Sequence, residues 1–283
     1  MKLHVCFACA AGLLVATTTA SAQSIGANFV NNGGGGVQNG PADALVAGEV
    51  AGAPGYGQAN WNNLGRWGGL TNLNDETGAA SGVNFAWDAN NVWNDGAGTA
   101  DANAKLMHGY LDSNGAANVA PVTPYNFFPT AANDPHVYVN GLAAWLAARG
   151  ATSYSVVVYA DGDGTNGRVG EYWLQEASGS DLGALTVGGD LTPHLFNNDT
   201  ANYTGTFDLL SSSSTALVGA DSGNYMVFTG LTADSFLLRT NEPAGPTLRT
   251  AINAVQIVAV PEPASLGVLG LAALSLLSRR RRA

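Results

Sequence analysis

Apolar residues in this chain come in short runs, each bounded by clusters of Asn, Asp, Gly and Pro. Runs of that length between turn formers predict β-strands, because a helix needs a longer stretch with 3.6-residue periodicity. Ten strands are expected, over residues 24–30, 81–87, 105–111, 136–140, 154–160, 169–175, 203–209, 224–229, 235–239 and 252–260. The exception is 142–149, rich in Ala and Leu and followed by Gly150, which predicts a short helix with a glycine C-cap. β-Branched and aromatic residues at 154–160 and 169–175 flank a Gly/Asp/Asn turn at 161–168, so these two strands are expected to form a hairpin. The unbroken run Val156-Val157-Val158 predicts a strand covered on both faces.

No strand–helix–strand rhythm and no internal repeat appears. The expected fold class is therefore all-β, two antiparallel sheets packed as a sandwich or jelly roll. The pattern, including the closing run Ile252-Asn253-Ala254-Val255-Gln256-Ile257-Val258, resembles that of galactose-binding and carbohydrate-binding modules. Nothing Pro-rich divides residues 23–259, which predicts one extracellular domain with its surplus length in loops at 31–80 and 112–135.

The two ends of the 283 residues read differently from the body. Residues 1–22 combine Lys2, an apolar stretch from Val5 to Ala16, and the small-x-small triplet Ala20-Ser21-Ala22. That order predicts a secretory signal cut by signal peptidase before Gln23. Cys6 and Cys9 both lie inside it, so the exported part has no thiol for a disulfide, a nucleophile or a metal ligand.

At the other end, Pro261-Glu262-Pro263 precedes an apolar stretch to Leu277 and the cluster Arg279, Arg280, Arg281 and Arg282. These three parts in this order resemble the PEP-CTERM sorting signal, also labelled an ice-binding protein C-terminal domain. The resemblance covers residues 260–283. It implies recognition by an exosortase at the inner membrane of a Gram-negative bacterium, and delivery to the cell surface or extracellular matrix. Independently, an apolar helix over 264–278 would span roughly 22 Å at 1.5 Å per residue. That is short for a bilayer but long enough with local thinning, and the arginines would hold its end in the cytoplasm.

Charge sharpens this division. The whole chain carries −10, yet residues 23–259 hold 20 acidic side chains against 6 basic ones, a net of −14. A body so poor in Lys and Arg is no general phosphate-backbone binder, which excludes nucleic acid as a partner. It is suited to remaining soluble among acidic surface polymers.

Candidate chemistry is sparse. Asp161-Gly162-Asp163-Gly164-Thr165-Asn166-Gly167 begins like a calcium loop. It departs from the EF-hand pattern at Asn166, where the turning glycine belongs, and at Tyr172, where the bidentate glutamate belongs. Two readings stand: an Asx-rich turn, or a calcium site of another type with Asp161, Asp163 and Glu171 as ligands. No other cofactor is indicated. Trp61, Trp67, Trp87 and Trp93 fall close together in Asn-rich surroundings. They serve either as core or as flat platforms for sugar rings beside amide partners. Trp61 and Trp93, set among turn formers, are the two expected to be exposed and to contact glycan. His108, His136 and His194 are far apart, and no HExxH or Gly-x-Ser-x-Gly motif occurs. No catalytic residue is singled out. The expectation is a non-enzymatic structural or glycan-associating surface protein. A polysaccharide hydrolase on the same fold, using an unidentified carboxylate pair, is the alternative.

Overall fold

The computed structural model describes residues 23–30, 35–38, 41–94, 101–113, 134–162, 168–179, 185–199, 201–242 and 250–261. The predicted signal with Ala20 and Ala22, Asp163, Glu262, Pro263, Arg279–Arg282 and the apolar C-terminal stretch lie outside these residues. In chain order the elements are β1 (Ser24–Phe29), β2 (Asn62–Leu64), β3 (Gly68–Asn74), β4 (Ala80–Asp88) and β5 (Asn91–Asn94). Helix α1 (Ala102–His108), β6 (Gly109–Asp112), β7 (His136–Asn140), helix α2 (Leu142–Ala147), β8 (Ala151–Tyr159) and β9 (Arg168–Ser178) follow. The chain continues through β10 (Thr186–Asp190), β11 (Leu195–Asp199), β12 (Tyr225–Leu231), β13 (Phe236–Asn241), β14 (Ala251–Ile252) and β15 (Ala254–Pro261).

The protein is mostly β, built from antiparallel sheets. One sheet has the order β12-β8-β15-β1-β2, another β10-β9-β13-β7-β4-β3 with β11 also on β9, and a small third sheet is β14-β6-β5. Among the described strand pairs only β1 and β2 run parallel, and one isolated bridge, between Leu209 and Tyr225, is parallel as well. The two large sheets share one core. Ile25, Ala27 and Phe29 of β1, Val156 and Val158 of β8, and Val255 and Ile257 of β15 meet Val83, Phe85 and Trp87 of β4, Val137 and Val139 of β7, and Leu174 of β9. Each set sits at every second position, the period that puts alternate side chains on one face of a strand.

The five-stranded sheet is buried on its other face as well. Val157, Tyr159, Ala254 and Val258 pack there against Leu45, Ala53, Trp61, Leu106 and Met107. This double cover explains the uninterrupted Val156–Val158 run, since neither side of β8 faces water.

Three expectations are corrected. The stretch 105–111 is not one strand: Asp101 caps α1 by accepting the Ala104 N–H at 2.8 Å, and Gly109 then starts β6. Residues 203–209 form no strand; Tyr203 and Phe207 pack as an aromatic pair with centroids 5.1 Å apart, and only Leu209 bridges to Tyr225. Strands β8 and β9 are not a hairpin. β8 lies between β12 and β15, whereas β9 pairs with β13, β10 and β11 in the opposite sheet. Both strands are central and already flanked on each side, so the connection between them crosses from one sheet to the other. Helix α2 starts where expected but ends earlier, at Ala147 with Ala148 as its C-cap; Gly150, expected at that cap, follows in the left-handed region at φ +63°.

Candidate functional site

The outer face of the larger sheet carries the densest polar network. Along β9, Tyr172 and Leu174 enter the shared core, so Glu171, Trp173 and Gln175 point the other way. Register then sets Arg239 of β13 opposite Trp173 on one side and His136 of β7 on the other. The Arg239 guanidinium lies 5.2 Å from the centroid of the Trp173 ring, and its Nη1 donates to Gln175 Oε1 at 3.3 Å.

His194 stacks on Trp173 and joins two carboxylates. Its Nδ1 is 2.6 Å from Glu171 Oε1 and its Nε2 is 3.1 Å from Asp190 Oδ2. Asn241 Nδ2 donates to Glu171 Oε2 at 2.8 Å, and Gln175 Nε2 donates to Asp190 Oδ1 at 2.8 Å. Burial pulls the His194 pKa down, but hydrogen bonds and charge from Glu171 and Asp190 outweigh it and leave the imidazole above its ordinary value. The raised pKa favours the imidazolium, in which both ring nitrogens donate, one to each flanking carboxylate. The Gln175 hydrogen bond, together with His194 and against burial, holds Asp190 below the usual carboxylate range.

At the end of the same face Asp134 is only 5% exposed, and its Oδ1 has no hydrogen-bond partner among the described residues. Burial, reinforced by the neighbouring Glu242 and Glu171 and opposed by Arg239, pushes its carboxyl up to about 7. Ser113 Oγ donates to Glu242 Oε1 nearby. His136 moves the other way. Burial and the Arg239 charge bring it down to about 3, against a hydrogen bond with the Asp134 backbone, so it is neutral at all ordinary pH. The arrangement therefore offers a carboxyl group that still holds its proton near neutral pH, beside two further carboxyl groups and one guanidinium.

The residues expected from the sequence do not gather here, with one exception. Glu171 belongs to the network. Asp161 sits at the end of β8, where its Oδ2 accepts the Tyr203 N–H at 2.7 Å and its own N–H donates to Asn253 Oδ1 at 2.6 Å. Among the described residues no group of three or more His, Asp or Glu is placed to hold a metal ion.

Trp61 is corrected from exposed to buried, at 5% exposure. It covers Gly26 of β1, where a Cβ would come within 2.5 Å of its ring, and meets Tyr159 edge-on with centroids 6.0 Å apart. Its Nε1 donates to the carbonyls of Gln58 at 3.1 Å and Ala51 at 3.2 Å. The asparagines beside it, read as turn formers, instead satisfy backbone. Asn62 Nδ2 donates to Gly26 O at 2.9 Å, while Asn63 Oδ1 accepts the Leu45 N–H at 2.8 Å and its Nδ2 donates to Leu45 O at 2.9 Å. Trp93 of β5 is exposed as expected, at 50%.

Trp173, Arg239 and His194 were not singled out from sequence. A period-2 pattern, Glu171-x-Trp173-x-Gln175 and Arg239-x-Asn241, was present, but only strand register joins the two segments.

Comparison with known proteins gives one firm result. Residues 259–282 match the model of the PEP-CTERM protein-sorting motif. This motif marks an exported protein, anchored in the membrane before exosortase processing and standing at the cell surface afterwards. No curated protein matches the chain. Among solved structures, the K2 cleaved adhesin domain of Lys-gingipain aligns over 77% of this chain and 94% of its own, at 13% identity and a TM-score of 0.24. A likeness of that size fixes neither topology nor function.

Proposed function

We propose, on the premise that the chain is a PEP-CTERM protein, that it is a non-catalytic surface or matrix component whose β-sandwich body is structural or glycan-associating. The observation that carries this reading is the sorting motif running on directly from the last strand of the body, with Pro261 as the final residue of β15. Signal peptidase acts at the N-terminal end and an exosortase at the C-terminal end, in a Gram-negative cell, and extracellular polysaccharide is the partner of the mature body. Exposed Trp93 supplies a flat apolar ring for a sugar face. Replacing Pro261-Glu262-Pro263 with alanines, or deleting Arg279–Arg282, should leave the protein in the inner-membrane fraction. Unchanged delivery of both variants to the surface rejects the sorting reading. Matrix polysaccharide should retain the mature body and lose that retention on Trp93→Ala.

A second reading rests on Asp134. A carboxyl group protonated near neutral pH beside Glu171 and Glu242 has the proton placement of a general acid in glycoside hydrolysis. Hydrolysis of matrix polysaccharide that disappears in Asp134→Asn would favour a hydrolase over the non-catalytic body. Calcium held at Asp161, Asp163 and Glu171 belongs to the same open set, and calorimetric titration with calcium alone tests it.

A further inference from the structure

Ile25, Ala27 and Phe29 of β1 enter the shared core, so Asn28 between them faces the outer layer, on the opposite side of the sandwich from Trp173. Asn28 is fully buried there, and its neighbours fix which way its amide stands. Asn63 Oδ1 accepts the Leu45 N–H at 2.8 Å and Asn63 Nδ2 donates to Leu45 O at 2.9 Å, so backbone sets that amide one way round. Asn28 then turns its Nδ2 to Asn63 Oδ1, at 3.0 Å, and to the Asp43 carbonyl, at 3.3 Å. Its Oδ1 is left buried and without a hydrogen bond.

Two neighbours carry the same feature. Asp43 is 5% exposed; its Oδ2 accepts from Asn94 Nδ2, but its Oδ1 accepts from nothing among the described residues. His108 Nδ1, at the end of α1, is likewise buried and unbonded, 3.7 Å from Asp43 Oδ1. Gly109 lies against Phe29 O, where a Cβ would come within 2.2 Å, and pairs with Asn94 of β5, which brings His108 beside β1 and Asp43. Lys105, one turn earlier on α1, is engaged by Glu49 at 2.6 Å.

A proton on His108 Nδ1 would have to reach Asp43 across 3.7 Å, beyond hydrogen-bond length. A buried water has two hydrogens to give and cannot satisfy three acceptors. The same separation suits two ligands of one cation, since bonds of about 2.0–2.2 Å at angles of about 110–120° put ligand atoms roughly 3.3–3.8 Å apart. We infer that Asp43 Oδ1, His108 Nδ1 and Asn28 Oδ1 bind one divalent first-row transition ion of the zinc type. An imidazole nitrogen beside a carboxylate favours such an ion over calcium or magnesium, which take oxygen ligands. The third donor is an amide, so no group of three His, Asp or Glu marks the place. His108, with 18% of its side chain exposed, is the way in.

The ligands come from β1, from the segment between β1 and β2, and from the end of α1. No disulfide ties these segments, because residues 23–283 contain no cysteine. The ion would clamp the layer of Leu45, Ala53, Trp61, Leu106 and Met107 onto the five-stranded sheet.

Zinc alone is the probe, added to the full-length protein in detergent after treatment with a chelator. At zinc about a hundredfold above its dissociation constant, the melting temperature should rise by about 5–10 °C. Calcium at the same concentration should give no such rise. In NMR spectra of the wild type, the first equivalent of zinc should shift the imidazole nitrogens of His108 ahead of those of His194. Asp43→Asn and His108→Ala should each weaken zinc binding about tenfold or more in calorimetric titration. The inference is overturned by a wild type whose melting ignores zinc, by a response to calcium alone, by first occupancy at His194, or by undiminished affinity in both variants.

Discussion

The imidazole of His194 lies on the indole of Trp173 with ring centroids 4.4 Å apart and planes 12° from parallel. Glu171 and Asp190 favour the protonated imidazole, and in that form the stack is a cation–π contact. The folded-state pKa is raised, so the stability it contributes is fully present below the unfolded value of 6.5 and is lost as pH rises through the folded one. NMR titration should place the His194 midpoint above 6.5, and Glu171→Gln should lower it. An unshifted midpoint in the wild type contradicts the arrangement.

Asp134 and His136 pull stability in opposite directions over one pH window. Asp134, at about 7 folded against 3.8 unfolded, makes stability fall as pH rises through that interval. His136, at about 3 folded against 6.5 unfolded, makes it fall as pH drops through nearly the same interval. The wild type should therefore show a shallow profile between about pH 4 and 6.5 in urea melts. Asp134→Asn should uncover a loss of stability toward acid, and His136→Asn a loss toward neutral pH. Each slope approaches at most about 1.4 kcal/mol per pH unit.

Trp61 and Trp93 should separate cleanly. Trp61→Ala removes a buried ring and should cost about 3–5 kcal/mol in chemical denaturation. Trp93→Ala removes an exposed one and should change stability by about 0.5 kcal/mol or less while weakening retention on matrix polysaccharide.

Gly68 is the register partner of Trp87 and leaves room for its ring. A Cβ there would stand 2.2 Å from the indole, which is fixed by its Nε1 donating to Gly65 O at 2.8 Å. Gly68→Ala should cost about 1–3 kcal/mol by overpacking. Combined with Trp87→Leu it should cost less than the two changes summed, because the clash is gone.

Strands with strong local chemistry were legible from sequence. β7 covers the expected 136–140, and β1, β4 and β12 fall within two residues of their predicted ends. β3, with the sequence GGLTNLN, escaped notice because only Gly68 and Leu73 are buried, while Gly69 and Thr71 are half-buried and Leu70, Asn72 and Asn74 are exposed. Helix α1 was hidden for another reason: Leu106 and Met107 match a strand pattern as well as a helix pattern, and only the Asp101 cap decides between them. The hairpin between β8 and β9 failed because local turn chemistry says nothing about which sheet a strand joins next. The polar face had the same obstacle, since Trp173, His194, Arg239 and Asp134 come from separated segments and become neighbours only through register.

The position of β15 also bears on the order in which the sandwich can be completed. The last of the described strands occupies the middle of the five-stranded sheet, and β1, the first, has no antiparallel neighbour until it arrives. The larger sheet contains no part of β15, so its strands can pair before that strand is present, whereas β1 and β8 are joined only through it. Closure of the five-stranded sheet is thereby tied to a single event, the docking of β15 between two strands far apart in sequence.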